Sequence, residues 1–300
     1  MTSWLVVSVL AAPAFAAPSS EASFFTAVAG ARESMSAGFK AASWNEVDTL
    51  IDLLRDRDPE VRRQAVRSLK AWVAQRSSTR DRVLDVYKSS SEDVAVRREA
   101  AKTLSVVSGN SDIYQALLDY ARRGSDRSLR AISYKALYWS AAQRSDVRDD
   151  VLDAARRESD PVVRLAAIWA LFGVNDNRVK DALLDIARRD SSEAARVEAL
   201  KSLYGMMGYN DVRDAAYDFA RDARTPAALR EAAILLHSNR VTSSQKDLLL
   251  DIAARDADPV MRRAAIVALG SPRAEDIWTY FHLVRRDQNG VMAADPLDAQ

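Results

Sequence analysis

An arginine recurs seven times along the chain at nearly constant spacing, as Arg62, Arg97, Arg130, Arg164, Arg196, Arg230 and Arg262, with steps of 35, 33, 34, 32, 34 and 32 residues. Each stands in the same frame. A polar or Asp-Pro pair precedes it, as in DPEVR (58–62), DPVVR (160–164) and DPVMR (258–262). Three residues after it comes a small residue: Ala65, Ala100, Ser133, Ala167, Ala199, Ala233 and Ala265. Seven residues after it comes a leucine: Leu69, Leu104, Leu137, Leu171, Leu203 and Leu269, with His237 the exception. A period of this length marks a stack of similar supersecondary units that share one continuous core. The chain of 300 residues is therefore read as one solenoid rather than as two globular domains.

Each repeat holds two helices. The first carries a recurring apolar-Asp signature, seen in QALLDYARRGSD (115–126), DDVLDAARRESD (149–160), KDALLDIARRDSS (180–192), DAAYDFARDART (214–225) and DLLLDIAARDAD (247–258). Its apolar residues fall at i, i+3 and i+4, on one helical face. Arginines close this helix, and aspartates or serines open the next, as the helix dipole and N-terminal capping favour. Pro59, Pro161, Pro226 and Pro259 are placed directly after the cap, where a missing N–H costs nothing. Ser43 with Glu46, and Ser244 with Asp247, have capping-box spacing. The pattern predicts seven helix pairs over roughly 45–270 and a terminal helix from Pro272 to about Asp287 covering the last open face. Solenoid and cap helix together span 45–287; residues 17–44 form an N-terminal segment or cap, and 288–300 a disordered tail.

The opening MTSWLVVSVLAAPAFAAPSS has an apolar run from Trp4 to Ala12, then small residues at Ala14 and Ala16. It reads as a secretory signal peptide over 1–16, although no Lys or Arg precedes the run. The run is too short for a stable membrane span. The expected mature protein is periplasmic or secreted. The chain has no cysteine, which excludes disulfides, thiolate metal sites and a cysteine nucleophile. Lys+Arg number 43 against Asp+Glu 42, so no large single-sign field attracts nucleic acid.

The frame D-P-x-V-R-x-x-A-x-x-A-L, clearest in DPVVRLAAIWAL (160–171), resembles that of HEAT repeats in the armadillo-like superhelix class. The resemblance covers about three quarters of the chain. It implies an all-α fold, a right-handed alpha-alpha superhelix of about seven helix pairs, with the second helices lining the concave side. For function it implies a scaffold, with enzymes scattered among the relatives.

Counting from each repeat arginine sorts the second helix into stripes. Positions +3, +4 and +7 are small or apolar and are expected in the core, while +2 and +6 are mostly small and suit close packing on the next repeat. Positions +1, +5 and +8 vary freely and are the expected open surface. They begin basic, with Arg63, Arg67, Lys70, Arg98 and Lys102, and continue with Ala131, Lys135 and Tyr138. Next come Leu165, Trp169 and Phe172, then Val197, Lys201 and Tyr204. If Tyr138, Trp169, Phe172 and Tyr204 form an accessible strip, they can anchor a protein partner, and the basic end favours an acidic segment in it. The competing reading is that Trp169 and Phe172 fill gaps where the stack bends.

Catalytic constellations are sparse. The repeat arginine is best read as a bridge to an aspartate or carbonyl of a neighbouring repeat. His237 and His282, the two histidines, have no metal-ligand spacing, so neither a metal nor another cofactor is expected. His237 is read as a hydrogen-bonded or partly exposed helix end. HEAT-like deoxyhypusine hydroxylases use paired His-Glu dipeptides, and this chain has none. Phycobilin lyases share only the generic repeat, and HEAT-like alkylpurine DNA glycosylases have a longer basic groove. There is no P-loop, Gly-rich nucleotide fingerprint or G-x-S-x-G. The expected function is a non-enzymatic exported scaffold or adaptor with a protein partner; the alternative is a lyase-like or cofactor-handling enzyme subunit.

Overall fold

The computed structural model describes residues 44–238 and 242–270. The signal, the cap at Ser43, the terminal helix and the tail lie outside the described residues. Two compact units are distinguished, Met1–Val47 and Asp48–Gln300. Of the first, only the opening turn of one helix is described; the repeats belong to the second.

Among the described residues there are fifteen α-helices and no strand. The first helices of the seven repeats are α1 (Trp44–Asp52), α3 (Ser77–Lys88), α5 (Ser111–Arg123), α8 (Ser145–Arg157), α10 (Asn177–Arg189), α12 (Asn210–Arg221) and α14 (Ser243–Arg255). The second helices are α2 (Pro59–Ser68), α4 (Val94–Leu104), α6 (Arg127–Ala136), α9 (Pro161–Ala170), α11 (Glu193–Ser202), α13 (Ala227–Leu236) and α15 (Pro259–Leu269). A short helix, α7 (Tyr138–Gln143), continues the third repeat. From α2 onward each second helix packs on the next second helix, whereas first helices touch their neighbours sparingly. The result is an all-α repeat fold whose second helices form the closely packed row.

The start of each second helix is set by its cap. Asp58, Asp93, Asp126, Asp160 and Asp258 accept hydrogen bonds from backbone N–H groups of the first turn at 2.7 to 2.9 Å. Pro59, Pro161 and Pro259 come directly after their caps as expected. Pro226 differs: it is itself the N-cap of α13, where it offers no side-chain acceptor. The cap of α14 also differs from Ser244 with Asp247. The helix begins at Ser243, and the Thr242 N–H donates to Gln245 Oε1 at 2.9 Å. Gln245 is the residue whose side chain can reach back across the first turn, while Ser244 is already inside the helix.

The period itself is explained by packing. The small residues three after each arginine lie at the helix crossings and are at most 3 % exposed. Leu69, Leu104, Leu137, Leu171 and Leu203 are fully buried. The one non-alanine, Ser133, donates to the Leu129 carbonyl at 2.6 Å and accepts the Tyr87 hydroxyl, 2.8 Å away on the preceding repeat.

Five of the seven repeat arginines, Arg62, Arg97, Arg130, Arg164 and Arg230, tie two levels of the stack. Arg97, Arg130, Arg196 and Arg230 donate through Nε to the last-turn carbonyls of Tyr87, Ala121, Ala187 and Ala220, each at 2.9 Å. Four of the seven also reach a carboxylate that opens the next repeat's second helix. Arg62 pairs with Glu92 at 2.6 Å, Arg164 with Asp190 at 2.6 Å, Arg230 with Asp256 at 2.5 Å, and Arg130 with Glu158. The third repeat has Gly124 at that place. A Cβ there would come within 2.3 Å of the Tyr120 ring. Arg97 lies over that ring instead, 4.7 Å from its centroid, and a cation–π contact replaces the ion pair.

The Arg164–Asp190 side chains are only 19 % and 10 % exposed, so removing one partner strands the other in a dry interface. Arg164→Ala is expected to cost about 2–3 kcal/mol, after discount for residual solvent. Arg189→Ala removes a pair with Asp185 that is 79 % and 62 % exposed, and a change within about 0.5 kcal/mol is expected. Chemical denaturation of both variants checks this; equal losses would contradict the inter-repeat bridge.

Candidate functional site

The positions that vary along the stack belong to the row of second helices, and two hydrogen bonds define how successive helices meet there. Thr103 Oγ1 donates to the Val66 carbonyl at 3.3 Å, and Ser202 Oγ to the Ile168 carbonyl at 3.2 Å. In both cases a residue six after one repeat arginine meets a residue four after the previous one. In this register the residue at +5 of one repeat leans on the residue at +2 of the next. Arg67 and Glu99 realise it as an ion pair at 2.9 Å.

The basic end is partly accessible. Arg63 pairs with Glu60 at 2.6 Å and keeps its side chain 34 % exposed. Arg67 is 50 % exposed, and Lys70 and Arg98 are half-buried. Lys102 departs from the expected open stripe: it is buried, because a +5 side chain lies along the adjacent helix instead of pointing away from the row.

The aromatic residues depart further. Trp169 and Phe172 are 7 % exposed and Tyr204 is 6 % exposed, while Tyr138 is half-buried. The expected accessible strip is not present. Tyr138 meets Trp169 edge-on, with ring centroids 5.8 Å apart and planes at 70°, and Lys135 Nζ lies 5.9 Å from the Trp169 ring. Burial pushes the Tyr204 phenol pKa up, and a hydrogen bond with Ser238 partly offsets it. The physical reason is the same register. Large rings at +5 and +8 fill the space between neighbouring second helices, where other repeats carry smaller side chains.

Two acidic residues on this row were not singled out by the sequence pattern: Glu99 and Glu198, both at +2. They are 6 % and 9 % exposed. The available signal was a carboxylate at a position that is otherwise mostly small or apolar.

His237 is fully buried, and its ring nitrogens have no close hydrogen-bond partner beyond a weak interaction with the Ala216 backbone. It stands at the helix end expected from sequence, as the C-cap of α13, but it is buried rather than partly exposed, because +7 is a core position as at Leu69, Leu104, Leu137, Leu171 and Leu203. Burial pulls its pKa down to about 4, weakly opposed by the Ala216 backbone. With the folded-state value below an unfolded value of roughly 6.5, the unfolded chain binds the proton first. Stability is therefore expected to fall as pH drops from about 6.5 towards 4, by about 3 kcal/mol in all. His237→Leu, restoring the repeat residue, should flatten that dependence and raise stability at neutral pH. Denaturation midpoints at several pH values check this, and an unchanged slope in the variant would refute it.

Among the described residues no group of three or more His, Cys, Asp or Glu side chains is placed to hold a metal ion. No helix of the described residues is long and apolar enough to cross a membrane. A depression after α12, lined by Asp218, Arg221, Asp222, Ala223 and Arg224, is shallow and open to solvent. Asp222 is held below the usual carboxylate pKa chiefly by its hydrogen bond with Arg224.

The family model for HEAT repeats matches at residues 47–138, 114–203 and 148–237. The chain belongs to the HEAT-repeat family. A search of curated proteins finds no match. Solved structures show similar all-α stacks at low identity. One is the complex of CpcE and CpcF of phycocyanin lyase from Nostoc sp. PCC7120, at 14 % identity over 81 % of this chain and 96 % of that one, with a TM-score of 0.48. Another is human deoxyhypusine hydroxylase in complex with glycerol, at 17 % identity over 75 % of this chain and 83 % of that one, with a TM-score of 0.36. A third is the Mot1 N-terminal domain in complex with TBP, at 15 % identity over 89 % of this chain and 41 % of that one, with a TM-score of 0.49.

Proposed function

We propose that this HEAT-repeat protein is a non-enzymatic scaffold, exported from the cytoplasm, that holds an acidic segment of a protein partner against its second helices in the first two repeats. The observation that carries the reading is the run of cations on α2, the 3-10 turn Leu69–Ala71 that follows it, and α4. Arg63, Arg67, Lys70 and Arg98 keep part of their surface open, with Glu60 beside Arg63 and Glu99 beside Arg67. An excess of positive charge on one face steers and orients an acidic partner more than it adds affinity. Trp169, Phe172 and Tyr204, being buried, support the packing of that face instead of anchoring the partner.

Arg63→Glu combined with Lys70→Glu reverses charge at accessible positions outside the inter-repeat bridges. With helicity and melting unchanged, this variant should recover the wild type's partner from a periplasmic extract roughly tenfold less well, and wild-type capture should weaken as salt is raised. Equal recovery by the variant would overturn the reading.

Export rests on residues 1–16. Mass spectrometry of the native protein should find a new N-terminus near Ala17, and intact Met1 in a cytoplasmic fraction would contradict it.

A further inference from the structure

Inside the stack, four repeat arginines reach forward to Glu92, Glu158, Asp190 and Asp256, each five or six residues before the next repeat arginine. Each end of the stack holds one half of such a pair. Arg262, in the last repeat, is set as Arg62 is in the first. Its Nη1 donates to the carbonyls of Asp256 and Ala257 at 2.6 and 3.1 Å, as Arg62 Nη1 donates to those of Asp56 and Arg57 at 2.7 and 3.1 Å. The Nε and Nη2 of Arg62 go on to Glu92. Those of Arg262 meet no acceptor among the described residues. At the other end, Asp56 stands six residues before Arg62, where Glu158, Asp190 and Asp256 stand before theirs. It accepts the Asp58 N–H at 2.8 Å, as those three accept the N–H of Asp160, Ser192 and Asp258. Each of the three also receives a repeat arginine from the preceding level, and Asp56 receives none among the described residues.

The apolar surface follows the same division. The residue four after the repeat arginine faces the next level, as the bond from Thr103 to the Val66 carbonyl shows. It is at most 3 % exposed in the first six repeats, but Ile266 in the seventh is 59 % exposed. Leu250 on α14 is also open, whereas its counterparts Leu118, Leu152 and Leu184 are buried. The residue one before the arginine is at most 1 % exposed in the last six repeats, but Val61 in the first is 36 % exposed. The last level thus presents a guanidinium fork with open aliphatic surface, and the first level a carboxylate with open aliphatic surface.

We propose that the two ends are complementary docking faces for a second copy of this chain, joined head to tail. Arg262 of one copy takes Asp56 of the next, as Arg164 takes Asp190 within the stack. Ile266 and Leu250 are covered by the first repeat of the incoming copy, around its Val61. Five repeats separate the two faces, so one copy does not close the pair on itself. A second copy answers both unmatched charges at once, whereas the terminal helix expected from Pro272 to about Asp287 would answer only the last level. An ion pair left in water adds little, so the apolar surface supplies the contact and the pair sets its register. The contact is heterologous, so each copy that joins leaves a fresh end and assembly continues with concentration.

Sedimentation velocity on the chain as its own cell produces it should show species that grow beyond the dimer as concentration rises and shrink as salt is raised. Arg262→Glu and Asp56→Arg should each move association to roughly tenfold higher concentration or more, with helicity and melting as in wild type. Mixed in equal amounts, the two variants should associate again, because every contact between unlike copies joins opposite charges. Ile266→Glu, at a position already open to water, should weaken association without loss of fold. A wild type that stays monomeric at every concentration, the result if its own terminal segments cover both faces, would overturn the proposal. So would a dimer that grows no further, association undiminished by Arg262→Glu, or a mixture as dispersed as either variant alone. None of these measurements involves Arg63 or Lys70, so their outcome is separate from that of the charge reversal in the first repeat.

Discussion

The repeat arginine is the interaction on which the rest of this structure depends. A helix pair buries one face within itself and leaves two others to be covered by its neighbours, so a solenoid is held by whatever fixes one pair on the next. The guanidinium suits that task because its donors point in several directions within one plane. One edge holds the end of its own repeat's first helix through the carbonyls of Tyr87, Ala121, Ala187 or Ala220. Another reaches forward to Glu92, Glu158, Asp190 or Asp256 of the next repeat. Those carboxylates stand just before the next second helix, where the helix N-terminus also favours negative charge. A lysine has one donor centre and could not make both connections.

With the levels fixed in this way, the second helices come close together and the choice of side chains between them is narrow. Alanines at the crossings allow the approach, and leucines seven residues after the arginine fill the interior. What differs from repeat to repeat is the layer between neighbouring second helices. The first interface closes with the Arg67–Glu99 pair. The third and fourth repeats contribute Tyr138, Trp169 and Phe172, rings large enough to fill the gap without an ion pair. The row thus passes from a charged, partly accessible end to a packed aromatic middle, and its capacity for recognition is concentrated where charge is left open or unpaired.

Departures from the period have local causes. Ser133 replaces alanine where the Tyr87 hydroxyl needs an acceptor. Gly124 replaces the acidic residue where the Tyr120 ring takes up the side-chain space and offers Arg97 a π face. Gly173, at φ 73°, ends the fourth repeat in the left-handed region that glycine adopts without strain. His237 is only weakly compensated, by the Ala216 backbone. It burdens the core with a poorly satisfied imidazole and ties stability to pH.

The sequence by itself determined the repeat, its length, the two-helix unit, the caps at Asp58, Asp160 and Asp258, and the bridging role of the arginine. These are local or periodic properties: a cap is read from residues three apart, a helical face from spacing by three and four, and a bridge from one cation per repeat. The carboxylates that four of the arginines reach, Glu92, Glu158, Asp190 and Asp256, stand five or six positions before the next arginine, a local signal of the same kind. Tertiary structure alone decided what the variable stripe does. Helical spacing places +1, +5 and +8 on one side of a lone helix, but exposure depends on where the neighbouring helix lies. That is fixed by crossing geometry and by the volume of the side chains in between, which link residues more than thirty positions apart. Hence Trp169, Phe172, Tyr204 and Lys102 read as surface and are interior, and Glu198, which the sequence pattern did not single out, is a buried carboxylate. Periodicity says that residues share a face; only the packed neighbour says whether that face meets water.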